Sequence, residues 1–357
     1  MLRQIQARLR LTILFALFPL SLLCAEQKHA SRAEKEKAAS LPVVLWRNPG
    51  DVSRLNLLYG EGGRRDAPNP TGRFVFVKED MHGSNPKFDV VDQEGREWKV
   101  KLGKEARPEV AATRIVWAAG YFVDEDYFLP SMKVDKLPRL RRGEKSVSAG
   151  GIVHDARLEL ERKDVRKLGD WSWFHSPFEH TKELNGLRVI MCLVDNWDLK
   201  DDNNSVYQVG DQRFYLVSDL GSSFGKTGNY FTRSKGVLKN YSRAKFIQNE
   251  HDDLVDLVMH SRPVFFFMAF HRSDYRERAR IEMLGKDIPV PDARWIGRLL
   301  GRLSAAQLRD CFRAAGYDSK TADVYASTVE KRIAELNHLQ PRASSEVSAY
   351  EADRSTK

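Results

Sequence analysis

The sequence predicts an α+β fold in two lobes, with an antiparallel sheet in the first lobe and mainly helices in the second. Three observations lead to this prediction. Residues 73–102 alternate between apolar and polar positions around turn signals, which is typical of a strand meander. Residues 304–336 place apolar side chains at helical spacing. The chain of 357 residues is 42% hydrophobic and contains seven Trp, so it can bury a sizeable core.

The first lobe is predicted to span residues 41–183. Its meander consists of three strands separated by two turns rich in Gly, Asn or Pro: strands 73–77, 87–91 and 97–102, and turns 81–86 and 93–95. A helix follows, with Pro108 in its first turn, where the missing N–H costs nothing, and Gly120 at its end. Two further strands are predicted at 121–129 and 156–161.

The second lobe is predicted to span residues 184–340. An apolar helix at 184–194 leads into a polar loop at 195–204, and a hairpin of two strands follows, 205–209 and 213–217. Later, Ser304 is expected to cap one helix, and Ser319 or Thr321 the next. The polar tail from 341 to 357 is predicted to be disordered.

The N-terminus has the pattern of a signal peptide. Arg3, Arg8 and Arg10 precede an apolar run at 11–23, which is too short for a comfortable membrane span. We therefore expect residues 1–25 to direct export to a periplasmic or extracellular location, and residues 26–40 to form a polar linker. Cys24 offers a site for a lipid anchor, although the bacterial lipoprotein signal prefers a smaller residue than Leu23 before it.

Charge and cysteine content narrow the function classes. The net charge is +9, but basic residues are spread along the chain without a run of five, so we interpret the charge as a solvated surface and expect no nucleic-acid partner. Beyond the N-terminal segment only Cys192 and Cys311 remain, which excludes a disulfide scaffold. The nine His lack the spacing of a zinc enzyme.

The polar loop and the hairpin supply the residue types that phosphoryl transfer needs. This chemistry requires a Lys on the nucleotide phosphates, oxygen ligands for Mg²⁺, and a carboxylate that orients the attacking hydroxyl. Asp198 and Asn203 lie five positions apart on the loop, and the hairpin can fold Asp219 back beside them. The three side chains can therefore converge.

These motifs resemble the protein-kinase-like superfamily. The loop Asp198–Asn203, the hairpin and the Asp219-Leu220-Gly221 triplet are most similar to the atypical branch, the HipA-like and phosphatidylinositol 3-/4-kinase-like proteins, as a bacterial exported member. The resemblance covers roughly residues 70–225. It implies that Asp198 is the catalytic carboxylate, that Asn203 and Asp219 bind Mg²⁺ or Mn²⁺, and that Gly221 allows a sharp turn.

The first lobe follows the same family order. The resemblance implies that the turn at Gly83 and Ser84 covers the ATP phosphates, that Lys101 binds them, and that Glu109 pairs with Lys101. Lys99 remains an alternative to Lys101. Two departures stand out: Asn196-Trp197-Asp198 replaces the usual His-Arg-Asp, and a single glycine replaces the Gly-rich loop.

The sequence thus predicts an exported, ATP- and Mg²⁺-dependent phosphotransferase whose acceptor is a protein, a lipid or a sugar. A kinase-fold binding or scaffold protein with little catalysis is the main alternative, because ATP is scarce outside the bacterial inner membrane. Transfer of a nucleotidyl group would use the same residues. The acidic loop taken alone also fits a solvated turn. A Ca²⁺ cage of Asp195, Asp198, Asp201 and Asp202 lacks the Gly and Glu of an EF-hand loop.

Overall fold

The computed structural model describes residues 30–83, 85–162, 165–226, 234–262 and 272–340. It confirms a mixed α+β fold. The helices are α1 Arg32–Ala38, α2 Gly63–Asp66, α3 Ala106–Ala118, α4 Lys182–Leu193, α5 Leu238–Arg243, α6 Arg272–Glu282, α7 Val290–Leu300, α8 Ala305–Ala314 and α9 Ser319–His338. The strands are β1 Val43–Val44, β2 Arg73–Asp80, β3 Lys87–Val91, β4 Glu97–Lys101, β5 Phe122–Val123, β6 Asp126–Asp135, β7 Val147–Ser148, β8 Ile152–Leu160, β9 Arg166–Gly169, β10 Asn204–Val209, β11 Gln212–Val217, β12 Ile247–His251, β13 Leu254–Leu257 and β14 Ile288–Pro289.

The largest sheet closes on itself. Strands β2, β3 and β4 form the predicted antiparallel meander. Strand β6 then pairs with β2 in parallel, and β8 pairs with both β6 and β4, so that five strands form a ring. Closure removes the open edges of β4 and β8 and places their side chains in register, with Lys101 opposite Arg157.

Alternation along β4 determines which side chains face the interior of this ring. Trp98 and Val100 are completely buried in a cluster with Phe88 and Leu158. Because successive strand residues point to opposite faces, Lys99 and Lys101 face away from that cluster. The apolar core of the ring therefore places both lysine side chains on the face of β4 that points away from the interior of the ring.

The second hydrophobic core joins the helices to a smaller sheet. Strands β10 and β11 form the predicted hairpin, and β1 and β9 pair with its two sides. Helices α8 and α9 contribute an aromatic pair, Phe312 and Tyr325, with stacked rings 4.8 Å apart, and Phe224 packs edge-on against both. Arg332 of α9 donates hydrogen bonds to the carbonyl of Leu193 at the end of α4.

Several local predictions can be compared with the structure. Gly120 follows α3 at φ +90°, and a Cβ there would lie 2.2 Å from the Arg47 carbonyl oxygen, so only glycine fits. Ser304 caps α8 in a capping box. The residue that caps α9 is Asp318, and the prediction of Ser319 or Thr321 was wrong, because the aspartate one residue earlier accepts from the Thr321 N–H.

The segment before the first strand contains a helix that the sequence did not predict. Residues 32–38, part of the predicted linker, form α1, and its Ala38 is buried in the core. The predicted signal peptide at 1–25 and the tail at 341–357 lie outside the described residues. Within the described ranges, no helix has the length and apolar character needed to cross a membrane.

Candidate active site

Lys101 lies at the centre of a buried cluster of charges. Its Nζ is 2.8 Å from Glu105 Oε2, 2.9 Å from Glu109 Oε2 and 2.7 Å from Asp219 Oδ1. Lys101 is 4% exposed. Strand β4 supplies the lysine, the start of α3 supplies both glutamates, and the end of the β10–β11 hairpin supplies the aspartate. The structure therefore brings together three residues predicted from sequence, Lys101, Glu109 and Asp219.

Lys99 has a different partner. Its Nζ lies 2.5 Å from Glu161 Oε1, just beyond β8. The two candidate lysines share one face of β4, but of these two only Lys101 pairs with Glu109 among the described contacts. The geometry therefore favours Lys101 for the role that the sequence left open between them.

Two members of the cluster were not found from the sequence. Glu105 also accepts from Asn85 and pairs with Lys235. Arg157 of β8 donates to Glu109 Oε1 at 2.6 Å and also pairs with Glu159. One carboxylate, Glu109, thus holds two cations side by side. The sequence indicated only that Arg157 belongs to a predicted strand in which charged and apolar residues alternate. This pattern does not identify the partner of Arg157.

The loop after α4 carries Asp198 and Asn203. The Asn203 side-chain amide donates to the Asp198 carbonyl oxygen at 2.7 Å, which closes the loop on itself. Asp198 Oδ1 lies 3.4 Å from Nη2 of Arg278, a buried residue of α6 whose guanidinium packs 5.1 Å from the Trp197 ring centroid. Trp197 therefore supports the cation beside Asp198.

The hairpin delivers Asp219 next to this loop. The Ser218 N–H donates to the Asn203 carbonyl oxygen at 3.0 Å, and Asp219 itself has φ +47°. The left-handed conformation thus lies at Asp219, and Gly221 lies in the tight turn at 220–222 that follows, without a positive φ of its own. Gly221 is needed for another reason: a Cβ there would lie 2.6 Å from Glu105 Cβ. Its missing side chain lets the Asp219 turn approach α3.

The remaining predicted residues lie at the β2–β3 turn. Gly83 has φ +67°, and its carbonyl oxygen accepts from Arg142 Nη1 at 2.7 Å. Ser84 lies outside the described residues. Asn85, on the other side of the turn, contacts Glu105, so this turn adjoins the Lys101 cluster.

One cavity of about 380 Å³ joins these groups. We call it the cleft. Its lining includes five of the residues predicted from sequence: Gly83, Lys101, Asp198, Asn203 and Asp219. Glu109 lies behind Lys101 and does not line it. A second cavity of about 350 Å³ shares Asp124, Glu159 and Tyr207 with the cleft.

The cluster shifts the acidity of its members. Although burial opposes the change, the carboxylates of Glu109, Asp219 and Glu105 raise the pKa of Lys101. Burial also opposes the shift of Asp219, but the Lys101 ammonium group outweighs the effect of burial and lowers the pKa of Asp219 below its usual range. Burial raises the pKa of Glu109 to about 7. Burial also raises the pKa of Asp198, partly offset by Arg278. Lys101 and Asp219 are therefore a charged pair at neutral pH.

The cleft has suitable ligands for a hard divalent cation. Asp219 and Asn203 both line it and present oxygen atoms, which Mg²⁺ and Mn²⁺ prefer. One carboxylate oxygen from each of Glu105, Glu109 and Asp219 lies within 4.8 Å of the others. The acidic loop offers a poorer cage for Ca²⁺, because three of its carboxylates have separate partners: Asp195 pairs with His260, Asp198 with Arg278, and Asp201 with the Trp173 N–H.

Comparison of the sequence with known proteins assigns this chain to no family. No protein-family model matches the sequence. No curated protein matches it either. Similar solved structures include the Helicobacter pylori proinflammatory kinase CtkA, at 10% identity and a TM-score of 0.34, over 75% of this chain and 100% of that chain. Golgi casein kinase with Mn/ADP bound is similar at 9% identity and a TM-score of 0.38, over 80% and 74% of the two chains. TM-scores this low do not establish a shared fold.

Proposed function

We propose that this protein is an ATP- and Mg²⁺-dependent phosphotransferase with a protein-kinase-like fold. The observation that carries the proposal is the position of Lys101 Nζ, 2.9 Å from Glu109 and 2.7 Å from Asp219, in a cleft that Asp198 and Asn203 also line. Phosphoryl transfer uses the same parts: a lysine that binds the nucleotide phosphates, a glutamate that orients this lysine, two oxygen ligands for the metal ion, and a catalytic carboxylate.

Each residue has a distinct task in this proposal. Lys101 binds the ATP phosphates, and Glu109 holds its ammonium group in place. Asp219 and Asn203 hold the divalent cation, which neutralises charge on the phosphates when bound. Asp198 accepts the proton of the acceptor hydroxyl, whose oxygen forms a bond to the γ-phosphorus while the bond to the β–γ bridging oxygen breaks and ADP leaves. Burial raises the pKa of Asp198, and the nearby Arg278 guanidinium partly offsets this by favouring the charged carboxylate that accepts the proton.

The test is a thermal-shift measurement on the purified protein with ATP, with and without Mg²⁺ or Mn²⁺. A ligand that binds only the folded state raises the melting temperature. We expect a metal-dependent rise that Asp219→Ala abolishes and Asp211→Ala preserves, because Asp211 lies on the exposed hairpin turn. A folded Asp219→Ala protein with a normal Mg-ATP shift would overturn the site assignment. No shift at millimolar ATP would favour a kinase-fold scaffold.

Export belongs to the same proposal. It is supported by the basic start, the apolar run at 11–23 and the polar sequence that follows. Intact-mass measurement on protein recovered from the producing cells tests it. Loss of about 25 residues supports cleavage after Ala25, and an added diacylglycerol mass supports lipidation at Cys24. A mass that includes residues 1–25 would contradict both.

A further inference from the structure

The three-stranded sheet of β12, β13 and β14 has a polar outer face. Val255 and Leu257 of β13 are buried in the second hydrophobic core. Because successive side chains of a strand point to opposite faces, Asp256 between them points away from that core. The antiparallel pairing of β12 with β13 places His251 opposite Leu254. Since Leu254 and Asp256 are two positions apart, His251 lies on the same outer face as Asp256.

Asp287 reaches this face from the third strand. Strands β13 and β14 pair antiparallel, with Ile288 opposite Val255. The residue before Ile288 therefore lies opposite Asp256, and the Asp287 N–H donates to Asp256 Oδ1 at 3.0 Å. The register of the sheet thus gathers His251, Asp256 and Asp287 on one face. We call these three residues the outer triad.

The ligand atoms of the outer triad are separated by distances that suit a metal ion. His251 Nε2 lies 3.6 Å from Asp256 Oδ1 and 3.7 Å from Asp287 Oδ1. Hydrogen bonds to nitrogen are about 2.7–3.2 Å long. The contact of His260 with Asp195, at 2.9 Å, is of that kind. Zn²⁺ bonds of about 2.1 Å at tetrahedral angles place neighbouring ligand atoms about 3.4 Å apart. The outer triad is therefore too open for direct hydrogen bonds and close to the spacing of zinc ligands.

This combination of ligands distinguishes the outer triad from the other acidic groups of the protein. Among the described residues, two groups of three His, Cys, Asp or Glu side chains have ligand atoms within 4.8 Å of one another. In the group at the candidate active site, Lys101 Nζ already lies within 2.9 Å of each carboxylate. The outer triad is the group with a ring nitrogen. Lys286 pairs with the opposite oxygen of Asp256, Oδ2, at 3.3 Å, and so leaves Oδ1 to the triad.

The surroundings of the outer triad favour a cation. Residues 250–256 contain four acidic residues and neither Lys nor Arg, in a chain whose net charge is +9. A local excess of negative charge attracts cations from solution. The side chain of Asp287 is 63% exposed and that of His251 34% exposed. An ion from the solvent can therefore reach the ligand atoms.

We propose that the outer triad binds Zn²⁺ through His251 Nε2, Asp256 Oδ1 and Asp287 Oδ1, with water in the fourth position. The imidazole nitrogen favours Zn²⁺ over Mg²⁺ and Ca²⁺, which prefer oxygen ligands. The ion ties the β12–β13 hairpin to the segment that leads into β14 and α7. The described residues that line the cleft include no member of the outer triad, so this site is separate from the one assigned to Mg²⁺. Its ligands come from separate strands, which is why no short zinc motif marks it in the sequence.

Calorimetric titration of ZnCl₂ into the full protein, without an affinity tag and freed of metal with EDTA, tests the proposal. We expect one equivalent of Zn²⁺ that Asp219→Ala retains, because Asp219 belongs to the cleft. In His251→Gln and in Asp256→Asn/Asp287→Asn, the affinity should fall by at least about 100-fold, since loss of even an outer-shell partner costs about 10–100-fold. Asn also tolerates the φ of +51° at Asp287.

The matched control is the double variant Asp252→Asn/Asp253→Asn. It removes the same two charges from the adjoining turn, where both residues are exposed and have a positive φ that Asn tolerates. We expect it to bind Zn²⁺ like the wild type. Equal losses in the two double variants would overturn the proposal, because the acidity of the hairpin alone would then hold the ion. Absence of Zn²⁺ binding by the wild type, or binding of Mg²⁺ as tight as that of Zn²⁺, would overturn it as well.

Thermal shift gives a second, independent readout. An ion that binds only the folded protein raises the melting temperature. We expect Zn²⁺ to stabilise the wild type and the control variant but not His251→Gln, whose melting temperature without metal reports whether it is folded. A rise of equal size in His251→Gln would refute ligation by the ring nitrogen. Neither readout depends on nucleotide, so the result stands apart from the phosphotransferase proposal.

Discussion

The ammonium nitrogen of Lys101 lies 2.7 Å from a carboxylate oxygen of Asp219, although the two residues are 118 positions apart in the sequence. This contact joins the closed ring of strands to the hairpin that follows the polar loop at 195–204. The Asp219 side chain keeps 40% of its surface exposed, whereas that of Lys101 keeps 5%. The Asp219 carboxylate can therefore contact a ligand in the cleft while the buried Lys101 ammonium group holds that carboxylate in place.

Replacing Lys101 should have a much larger effect than replacing Lys99. We expect Lys101→Met to lower kcat/KM for ATP by roughly 100-fold or more, as for loss of a preorganised charge at a reacting group. Lys99→Met should have a small effect, because Lys99 pairs with Glu161 instead. ADP formation from ATP gives the rate, and the melting temperature without nucleotide reports folding. A larger loss of kcat/KM in Lys99→Met than in Lys101→Met would assign phosphate binding to Lys99 instead of Lys101.

Replacing Asp198 should separate chemistry from binding. Asp198→Asn removes the proton acceptor, so we expect transfer to fall by about 10²–10⁴-fold while the Mg-ATP thermal shift persists. Asp202→Asn is the matched control, because Asp202 belongs to the same loop and lines the same cleft. Transfer at the wild-type rate in Asp198→Asn would remove this residue from the mechanism.

Asp124 should make stability depend on pH. Burial, with a contribution from Glu159, raises the pKa of Asp124 from 3.8 to about 8. The folded protein then holds this proton more tightly than the unfolded chain does. The stabilisation is complete below about pH 4 and is lost as the pH rises towards about 8. We expect the melting temperature to fall between about pH 5 and pH 8, and to fall less in Asp124→Asn.

The control for that measurement is Asp211→Asn, an exposed position on the hairpin turn. Its pH profile should match that of the wild type. An Asp124→Asn protein with the full wild-type pH dependence would show that this carboxyl group does not contribute to it.

Arg332 should stabilise the end of α4, where the polar loop at 195–204 begins. Its guanidinium donates to the carbonyl oxygens of Leu193 at 2.8 Å and Tyr241 at 3.1 Å, and lies 4.0 Å from the Tyr241 ring centroid. We expect Arg332→Met to lower the free energy of unfolding by roughly 1–3 kcal/mol. Lys331→Met, at an exposed neighbouring position, should change it by less than about 0.5 kcal/mol. Urea denaturation measures both, and equal effects would contradict the role of Arg332.

The sequence alone determined the local elements. Strand β3 has the predicted bounds, and the hairpin and the Ser304 cap occur where turn and capping residues predicted them. Each depends on hydrogen bonds and periodicity within about a dozen residues, which the order of amino acids specifies directly. The spacing of Asp198, Asn203 and Asp219 belongs to this class, because a loop and one hairpin connect them.

Only the tertiary structure decided which charges meet. Lys99 and Lys101 have the same local pattern, and their different partners depend on where α3 and β8 pack. Arg157 reaches Glu109 because β8 closes the ring against β4, a pairing between distant segments that is set by burial of the shared apolar core. The close approach of α3 to the Asp219 turn, which requires Gly221, has the same origin. Long-range packing brought these groups together, and no short stretch of sequence encodes it.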